Sequence, residues 1–516
     1  MPRALFSVSN KEGIIEFGRT LSALGWDIVA TSGTAQLLVD AGIQVTPVEQ
    51  LTGLPEMLGG RVKTLHPSIH GAILARDNSQ DMDELKKLGY APIELVVSNL
   101  YPFPATVQRE GVSLAEAVEQ IDIGGVTLLR AAAKNFERVM VLVDPADYPL
   151  VQQALLSGNK LSLKERQELA VKTFAHTQQY DAAIHAYLSG KTDILSQVTS
   201  GFPDSLTLSL RQSQALRYGE NPHQRAGVFI LGSEDGLLGG ELLQGKALSY
   251  NNLLDADAAW RAVSSFDPAE HAAVVIVKHL NPTGIAIGGA APVAFKGALA
   301  SDPISAFGGV VALNVAIDES FVDALGSLFV EVLIAADFSE GACQKLAETR
   351  KNCRLLKITS TEERPGFEFR SVTGGFLLQQ RDTGDPPDTD WQVVSERQPS
   401  AEELRALRFA WKACQHVKSN AIVLAHETAT VGIGGGLPSR IDATRLAIEK
   451  AGERAAKAVL GSDAFFPFAD GVMVAAEAGV RAIIQPGGSI RDQEVIEAVN
   501  EAGMAMVFTG VRHFRH

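Results

Sequence analysis

Four short apolar runs, each ending in a polar turn that leads towards a helical stretch, restrict the first third of this chain to a parallel sheet. They are residues 4–8, 27–30, 93–97 and 139–143. A strand that returns through a helix lies parallel to its neighbour. Ser9 and Asn10 are expected to cap a helix over residues 11–23. The next turn, Thr31-Ser32-Gly33-Thr34, precedes an expected helix from Ala35 to Asp40. Hydroxyls and free N–H groups at a helix start suit a phosphate, although many such turns serve capping alone. The third run ends in Ser98-Asn99-Leu100-Tyr101, at the sheet edge where open α/β sheets take ligands.

Two glycine-led segments add charge. Gly59-Gly60-Arg61-Val62-Lys63-Thr64 places Arg61 and Lys63 on one side if it is extended, or forms a solvated loop. Gly124 and Gly125 open a helix on which Arg130 and Lys134 share a face. A long helical pattern over 161–188 and a linker at 200–203 put a domain boundary near residue 195. A strand-like alternation follows at 205–210.

The larger remainder centres on Lys278 and His279, delivered side by side by the buried apolar run 271–277. Asn281-Pro282 and Gly284 are expected to break the strand and make the turn. A His near neutral pKa can take a proton, and a Lys can donate one or hold an anion. Two surface residues at a strand end is the plain alternative. Val417-Lys418-Ser419-Asn420 looks like a faint repeat of Val277-Lys278-His279 within a strand. Gly432, Gly434, Gly435 and Gly436 form a glycine run before Arg440 and read alone as a flexible turn. The aromatic group at 465–468 is either core or a flat apolar face.

Composition removes several classes. The chain has 516 residues, 46% apolar, with a net charge of −14. That charge disfavours a general nucleic-acid or membrane-surface binder. Cys343, Cys353 and Cys414 are too scattered for a disulfide framework or a zinc site, and no catalytic metal is expected. No apolar run approaches the ~18 residues of a membrane span, and Met1 leads straight into a strand without a signal peptide. A cytoplasmic protein is expected.

These segments resemble a known family, the bifunctional aminoimidazole carboxamide ribonucleotide (AICAR) transformylase/inosine monophosphate (IMP) cyclohydrolases. The blocks that carry the resemblance are Ser7-Val8-Ser9-Asn10-Lys11, residues 59–67, Asn99-Leu100-Tyr101-Pro102-Phe103 and residues 121–135. In the second region they are residues 216–224 and Lys278-His279-Leu280-Asn281-Pro282-Thr283-Gly284. The resemblance implies a methylglyoxal-synthase-like doubly wound parallel sheet over 1–195. It also implies tandem cytidine-deaminase-like α/β subdomains over 196–516. Formyl would pass from 10-formyltetrahydrofolate to AICAR, and formyl-AICAR would close to IMP with loss of water.

By the same resemblance, Ser9, Lys11, Thr31, Gly33 and Thr34 would hold the nucleotide phosphate. Arg61, Lys63, Thr64, Tyr101, Asp122, Gly124 and Gly125 would line the base end, with Asn99 in the substrate set and Lys134 close by. Lys63 is the candidate for the oxyanion. Tyr101, Asp122 and Lys134 are candidates for proton transfer. In the second region His279 would be the base and Lys278 the acid or electrostatic partner, with Asn420 a hydrogen-bonding partner. Arg217, Tyr218, His223 and Arg512 would bind nucleotide, and Asp337, Phe465 and Phe466 would meet folate. The resemblance also implies a homodimer with transformylase sites at the subunit interface, so that Lys278/His279 and part of the nucleotide set come from different chains. Departures from the family pattern are Ser32 for Gly, Thr283 for Cys, and Gly435, Leu437 and Pro438 in the glycine run. A positive φ at the second turn place would strain Ser32. A nucleotide-sensing module joined to an inactive scaffold, and a methylglyoxal-synthase-like lyase, are the competing readings.

Overall fold

The computed structural model describes residues 1–109, 111–189, 202, 206, 208, 210–231, 236–359 and 366–516. Two compact units divide the chain, Met1–Leu206 and Thr207–His516. The expected boundary near 195 lies outside the described residues, as do most of the linker at 200–203 and part of the alternation at 205–210.

In the first unit β1 is Arg3–Val8, β2 Asp27–Ala30, β3 Thr46–Pro47, β4 Leu95–Asn99 and β5 Met140–Leu142. The sheet order is β3-β2-β1-β4-β5. Every pairing is parallel. Alternation along the strands sends Leu5, Val29 and Val96 into one core, with Phe103 and Leu128. Phe6, Ile28 and Val97 enter the other, with Phe17 and Leu38. Both faces are therefore covered, as the doubly wound expectation requires. The chain leaves β1 in one direction and returns to β4 on its other side, so a crevice opens beyond Val8 and Asn99, which are partners in register.

Three local expectations are corrected here. The first helix is Ile14–Ala23, and Gly13 holds its N-cap position at φ 67 with no side-chain cap. Ser9 and Asn10 do not cap it, because they lie too far upstream: the Asn10 side chain accepts from the Glu12 N–H at 3.0 Å, and the Ser9 and Asn10 N–H groups donate to Asn99 Oδ1 at 2.6 and 2.8 Å. The second helix already begins at Ser32, with Thr31 at the N-cap position. Ser32 is not among the positive-φ residues, so the family's Gly is not needed for backbone freedom. The segment before Lys63 is not extended. Leu58, Gly59 and Gly60 have φ of 52, 63 and 84, and residues 61–64 continue as turns.

In the second unit β6 Leu210–Leu216 and β7 Ala226–Leu231 form a two-stranded ribbon. β8 is Glu241–Gln244, β9 Ala272–Lys278, β10 Asn281–Gly288, β11 Gly309–Leu313, β12 Val330–Ala335 and β13 Arg354–Lys357. A second ribbon joins β14 Phe367–Val372 to β15 Gly375–Gln380. Then follow β16 Gln392–Val393, β17 Ile422–Ala425, β18 Thr430–Gly434, β19 Val459–Ser462, β20 Ala482–Gln485 and β21 Ala505–Phe508.

The two six-stranded sheets repeat one topology. Their orders are β10-β9-β11-β12-β13-β8 and β18-β17-β19-β20-β21-β16. In both, the first two pairings are antiparallel, the next two parallel and the last antiparallel. A capped helix enters each at the same point: Tyr250–Ser264 with a Ser249/Asn252 capping box, and Ala401–Cys414 with a Ser400/Glu403 box. Both helices contribute to one core, Trp260 and Val263 from the first, Leu407 and Phe409 from the second. So the suspected duplication is present, but its alignment was misread. Lys278 ends β9, whereas Lys418 precedes β17, so the two lysines occupy different places in the repeat.

Glycines mark another shared feature. A side chain on Gly284 in β10 would overlap the Ala298 carbonyl of the Ala291–Ser301 helix. Gly432 and Gly434 in β18 meet the Ala447 and Ala443 carbonyls of the Arg440–Ala451 helix in the same way. The glycine run is therefore partly a buried strand on which a helix rides, not a flexible turn. Among the described residues, no helix is long and apolar enough to cross a membrane.

Candidate active sites

The crevice of the first unit gathers most of its expected residues. Lys11 Nζ donates to Thr34 Oγ1 at 2.8 Å and to the Val8 carbonyl. Thr31 Oγ1 lies 3.5 Å from Ser7 Oγ. Gly33 and Ser32 are exposed in the first turn of their helix, with N–H groups that have no partner inside a helix end. Burial, and then the nearby charge of Lys63, lower the pKa of Lys11.

The other end is built around Asp122. Burial raises the carboxyl of Asp122 above its usual range, while the Gly125 and Tyr101 N–H groups and the charge of Lys63 pull the other way. Gly125 N–H donates to Asp122 Oδ1 at 2.7 Å, and Asp122 N–H donates to Tyr180 Oη at 2.8 Å. Burial, then the charge of Asp122, raises Tyr101. Thr64 is buried, and a Cβ on Gly124 would stand 2.7 Å from its Oγ1. Any larger residue at 124 would push Thr64 away. A Cβ on Gly125 would fall 2.6 Å from Asp122 Oδ2. Both glycines are thus needed for close approach of the helix start to this pair.

Two expected members are placed elsewhere. Arg61 is exposed and pairs with Glu119. Lys134 closes the Gly124–Lys134 helix. At ~1.5 Å rise per residue it stands about 15 Å from Gly124, so it is not close to Asp122. It lines a cavity of about 570 Å³ with Arg130 and Phe174 instead.

In the second unit the turn after β9 is made by His279 and Leu280, at φ 52 and 66. Asn281, Pro282 and Gly284 do not break the strand; they belong to β10, with a register shift between Pro282 and Gly284. Thr283 is buried, its hydroxyl 3.3 Å from the Ile276 carbonyl, in the place of the family's Cys. His279 is exposed, and Lys278 Nζ donates to the Phe307 carbonyl at 2.7 Å.

Asp255, which the sequence reading missed, holds the turn. Its Oδ1 accepts the Leu280 N–H at 2.7 Å and its Oδ2 the His279 N–H at 3.3 Å. One helical turn earlier, Asn251 Nδ2 donates to the Glu220 carbonyl at 3.3 Å. That contact ties the segment bearing Arg217, Tyr218 and His223 to the same helix. Arg217 sits 5.7 Å over the Tyr218 ring, and His223 is exposed.

Asn420 approaches from the second subdomain. Asn281 Oδ1 accepts the Lys418 N–H at 3.0 Å, so β10 and the 417–420 segment meet. Asn420 donates twice to the Leu437 carbonyl, from backbone and side chain, both at 3.0 Å. Any residue at 437 supplies that carbonyl, so the departure there costs no hydrogen bond. Arg440 donates to Asn420 Oδ1 at 2.8 Å, to Ser462 Oγ at 2.7 Å and to the fully buried Asp463 at 2.5 Å.

The remaining residues divide. Phe466 is 1% exposed and belongs to a core with Ile422 and Leu460, so it offers no free face to a ring. Phe465 is half-buried, and Phe468 is exposed beneath the Arg491 guanidinium. Asp337 is exposed and paired with Lys357 at 2.6 Å, which pulls its carboxyl down. The C-terminal tail is tied down, but Arg512 points outward over Phe514, at 4.6 Å. Among the described residues, no group of three or more His, Cys, Asp or Glu side chains could hold a metal.

Comparison with known proteins gives the family. A family model described as the AICARFT/IMPCHase bienzyme matches residues 132–450, and an MGS-like domain model matches residues 13–127. The bifunctional purine biosynthesis protein PurH of Desulfitobacterium hafniense is 48% identical, covering 100% of this chain and 99% of its own. The PurH of Persephonella marina is also 48% identical, over 100% and 99%. A solved structure titled "Crystal structure of ForH" is 41% identical and covers 37% of this chain and 98% of its own, at a TM-score of 0.34. With likeness at this level from end to end, and with Lys63, Tyr101 and Asp122 in one unit and Lys278, His279 and Asn420 in the other, the chain belongs to the AICARFT/IMPCHase bienzyme family.

Proposed function

We propose that this chain transfers a formyl group from 10-formyltetrahydrofolate to the 5-amine of AICAR, and then closes the product to IMP. The amine is conjugated with the carboxamide-bearing ring and is a weak nucleophile, so it needs a base. His279 takes its proton as nitrogen attacks the formyl carbon. Lys278 steadies the tetrahedral oxyanion or protonates the leaving folate nitrogen, and Asn420 adds a hydrogen bond. Arg217, Tyr218 and His223 bind nucleotide. Phe465, with Phe468, supplies the apolar face for folate, and Phe466 is left out.

Ring closure uses the first unit. The carboxamide nitrogen attacks a formyl carbon of the same molecule, so the site mainly folds the substrate and moves protons. Lys11, Thr34 and Asn99 hold the phosphate end, and Ser9, Thr31 and Gly33 border it. Lys63 stabilises the oxyanion. Asp122, with its raised pKa, and Tyr101 handle the proton. The observation that carries this reading is that one unit builds both ends: Lys11 Nζ on Thr34 Oγ1 at 2.8 Å for the anion, and Asp122 Oδ1 held by the Gly125 N–H at 2.7 Å for the acid–base work. Incubation with AICAR and 10-formyltetrahydrofolate tests it: IMP should appear. Absence of IMP would favour a nucleotide-sensing module.

A homodimer is part of the proposal. The β6–β7 and β14–β15 ribbons expose Phe229 and Phe376, at 52% and 73%, and a two-stranded ribbon is marginal alone. A partner would cover them and complete the site near Arg512. Mixing His279→Ala with Arg217→Ala under subunit exchange tests shared sites: recovered activity supports them. The Asn251 tie of the Arg217 segment to the helix that holds His279 argues for one chain supplying both. No recovery is then expected for this pair, and His279→Ala mixed with Arg512→Ala is the informative cross. Sedimentation showing an active monomer would refute the dimer. A cytoplasmic location follows from the substrates proposed.

A further inference from the structure

A cavity of about 1110 Å³, bordered at one end by Leu280 of the β9–β10 turn, opens between the Tyr250–Ser264 and Ala401–Cys414 helices, walled by the β14–β15 ribbon and the C-terminal tail. Seven Arg and Lys side chains line it against four Asp and Glu. In a chain of net charge −14 that is a local reversal of sign. Some of these cations are satisfied. Arg261 pairs with Asp257 at 2.8 Å and Glu368 at 3.1 Å. Arg370 donates to the His516 carbonyl at 2.7 Å.

Arg515 is different. Among the described residues no carboxylate is in ion-pair contact with it. Burial lowers its pKa, the Arg261 and Arg381 guanidiniums lower it further, and the Asp257 and Glu368 carboxylates pull the other way. Both carboxylates are already ion-paired with Arg261, and a half-buried cation that shares its counter-ions in this way gains from a further anion. On the same wall, Arg261 Nε, Ser264 Oγ and His416 Nδ1 are buried atoms without a hydrogen-bond partner among the described residues. Their positions call for further acceptors and a donor from whatever fills the space.

The chemistry selects the occupant. Clustered guanidinium forks match phosphate or carboxylate oxygens, and several together need more than one negative charge. The volume far exceeds one phosphate group, and Trp391, Phe367 and Phe514 add flat apolar wall. The cavity also has a mechanical link. Arg515 N–H donates to Ser419 Oγ at 3.1 Å, and Ser419 N–H donates to the Arg515 carbonyl at 2.8 Å. The next residue is Asn420.

We propose that this cavity binds a small organic polyphosphate through Arg261, Arg381 and Arg515, and that occupancy modulates formyl transfer through the Arg515–Ser419 pair. The modulation rests on the assignment of Asn420 to that reaction; the binding does not. Two sources share the chemistry, a nucleoside triphosphate and a phosphate chain without a base.

Isothermal titration of the full chain, held in saturating AICAR to fill the substrate sites, tests the binding. Tripolyphosphate and ATP are the probes, with orthophosphate as control. Saturable binding of tripolyphosphate or ATP is expected, with orthophosphate at least tenfold weaker. Arg515→Gln and Arg381→Gln should each weaken it about tenfold or more. The second variant keeps the test valid if the first fails to fold. ATP binding without tripolyphosphate binding would assign the nucleoside source; equal binding would assign the phosphate chain alone. No saturable binding, or binding unchanged in a folded variant, overturns the site. Kinetics separate the second claim: the bound probe should change kcat or KM for formyl transfer at least twofold in the wild type and not in Arg381→Gln, with cyclisation unaffected. Binding without any such change overturns the modulation and leaves the proposed reaction standing. IMP formation without probe tests that reaction separately.

Discussion

Asp255 and Leu280 are joined across the Tyr250–Ser264 helix and the β9–β10 turn by a 2.7 Å hydrogen bond, and the same carboxylate takes the His279 N–H. Both turn residues are non-glycine at positive φ, a conformation that costs on the order of 1–3 kcal/mol each. The carboxylate fixes that conformation. Asp255→Ala should therefore lower kcat for formyl transfer by roughly tenfold to a hundredfold, as misplacement of a reacting group does. Asp255→Asn, which keeps one acceptor, should recover part of it. Cyclisation of supplied formyl-AICAR should not change. Equal formyl-transfer rates in Asp255→Ala and wild type would remove the positioning role.

His279→Ala should cut formyl-transfer turnover by ~10²–10⁴, the reach of a general base. Cyclisation is again the internal control. Steady-state kinetics with both substrates decide it, and normal transfer would strike His279 from the mechanism.

Asp122 gives a pH prediction. As a proton acceptor it must be ionised, and burial raises its pKa. The acid limb of the cyclisation profile should therefore lie above the ordinary Asp range of about 3.9. Asp122→Asn should abolish that limb and slow cyclisation by ~10²-fold or more. A limb at the ordinary position in the wild type would contradict the assignment.

His513 gives a stability prediction. It is 2% exposed and sits between Asp382 at 2.6 Å and Asp385 at 2.7 Å. Burial opposes its charge, but the two carboxylates overcome this and raise its pKa from 6.5 to about 9. A raised folded pKa stabilises below the unfolded value and loses that effect as pH climbs through the folded one. The contribution, of the order of 3 kcal/mol, should be full below pH 6.5 and gone above about pH 9. Urea midpoints read through Trp411, whose ring lies 5.2 Å from His513, should fall across that window. In Asp382→Asn/Asp385→Asn the fall should vanish.

A fragment of residues 1–195 should fold and cyclise formyl-AICAR without folate. The Leu163–Leu188 helix supplies Ala170 and Tyr180 to the first unit's core, so the fragment keeps its packing. Circular dichroism and an IMP assay test it; an unfolded fragment would mean that the halves share a core.

The strands were legible because their apolar runs are short, β-branched and bounded. The chemistry-bearing turns were less so. Asn281, Pro282 and Gly284 look like breakers, yet β10 uses each: Asn281 binds Lys418, Pro282 needs no N–H partner, and Gly284 admits a helix. What breaks the chain is a left-handed pair, His279 and Leu280, which carries no breaker residue. Its support comes from Asp255, 25 residues away, and no local pattern encodes that. Lys134 was misplaced for a simpler reason: a motif is contiguous in sequence, but its helix carries one end about 15 Å from the other. Phe466 and Phe465 are adjacent, and only the packing against Ile422 and Leu460 separates the core ring from the half-buried one.

The repeated topology has an evolutionary consequence. Each subdomain holds the same fold, but the first turns at His279 and Leu280 while the second turns through residues 426–429. The framework is thus specified twice and the Lys-His tip once. The second tip has become a clasp instead: Ile287 of β10 donates to the Thr428 carbonyl at 2.8 Å and Ala286 bridges Ala429, so an insertion there would disturb the strand that leaves the reactive turn.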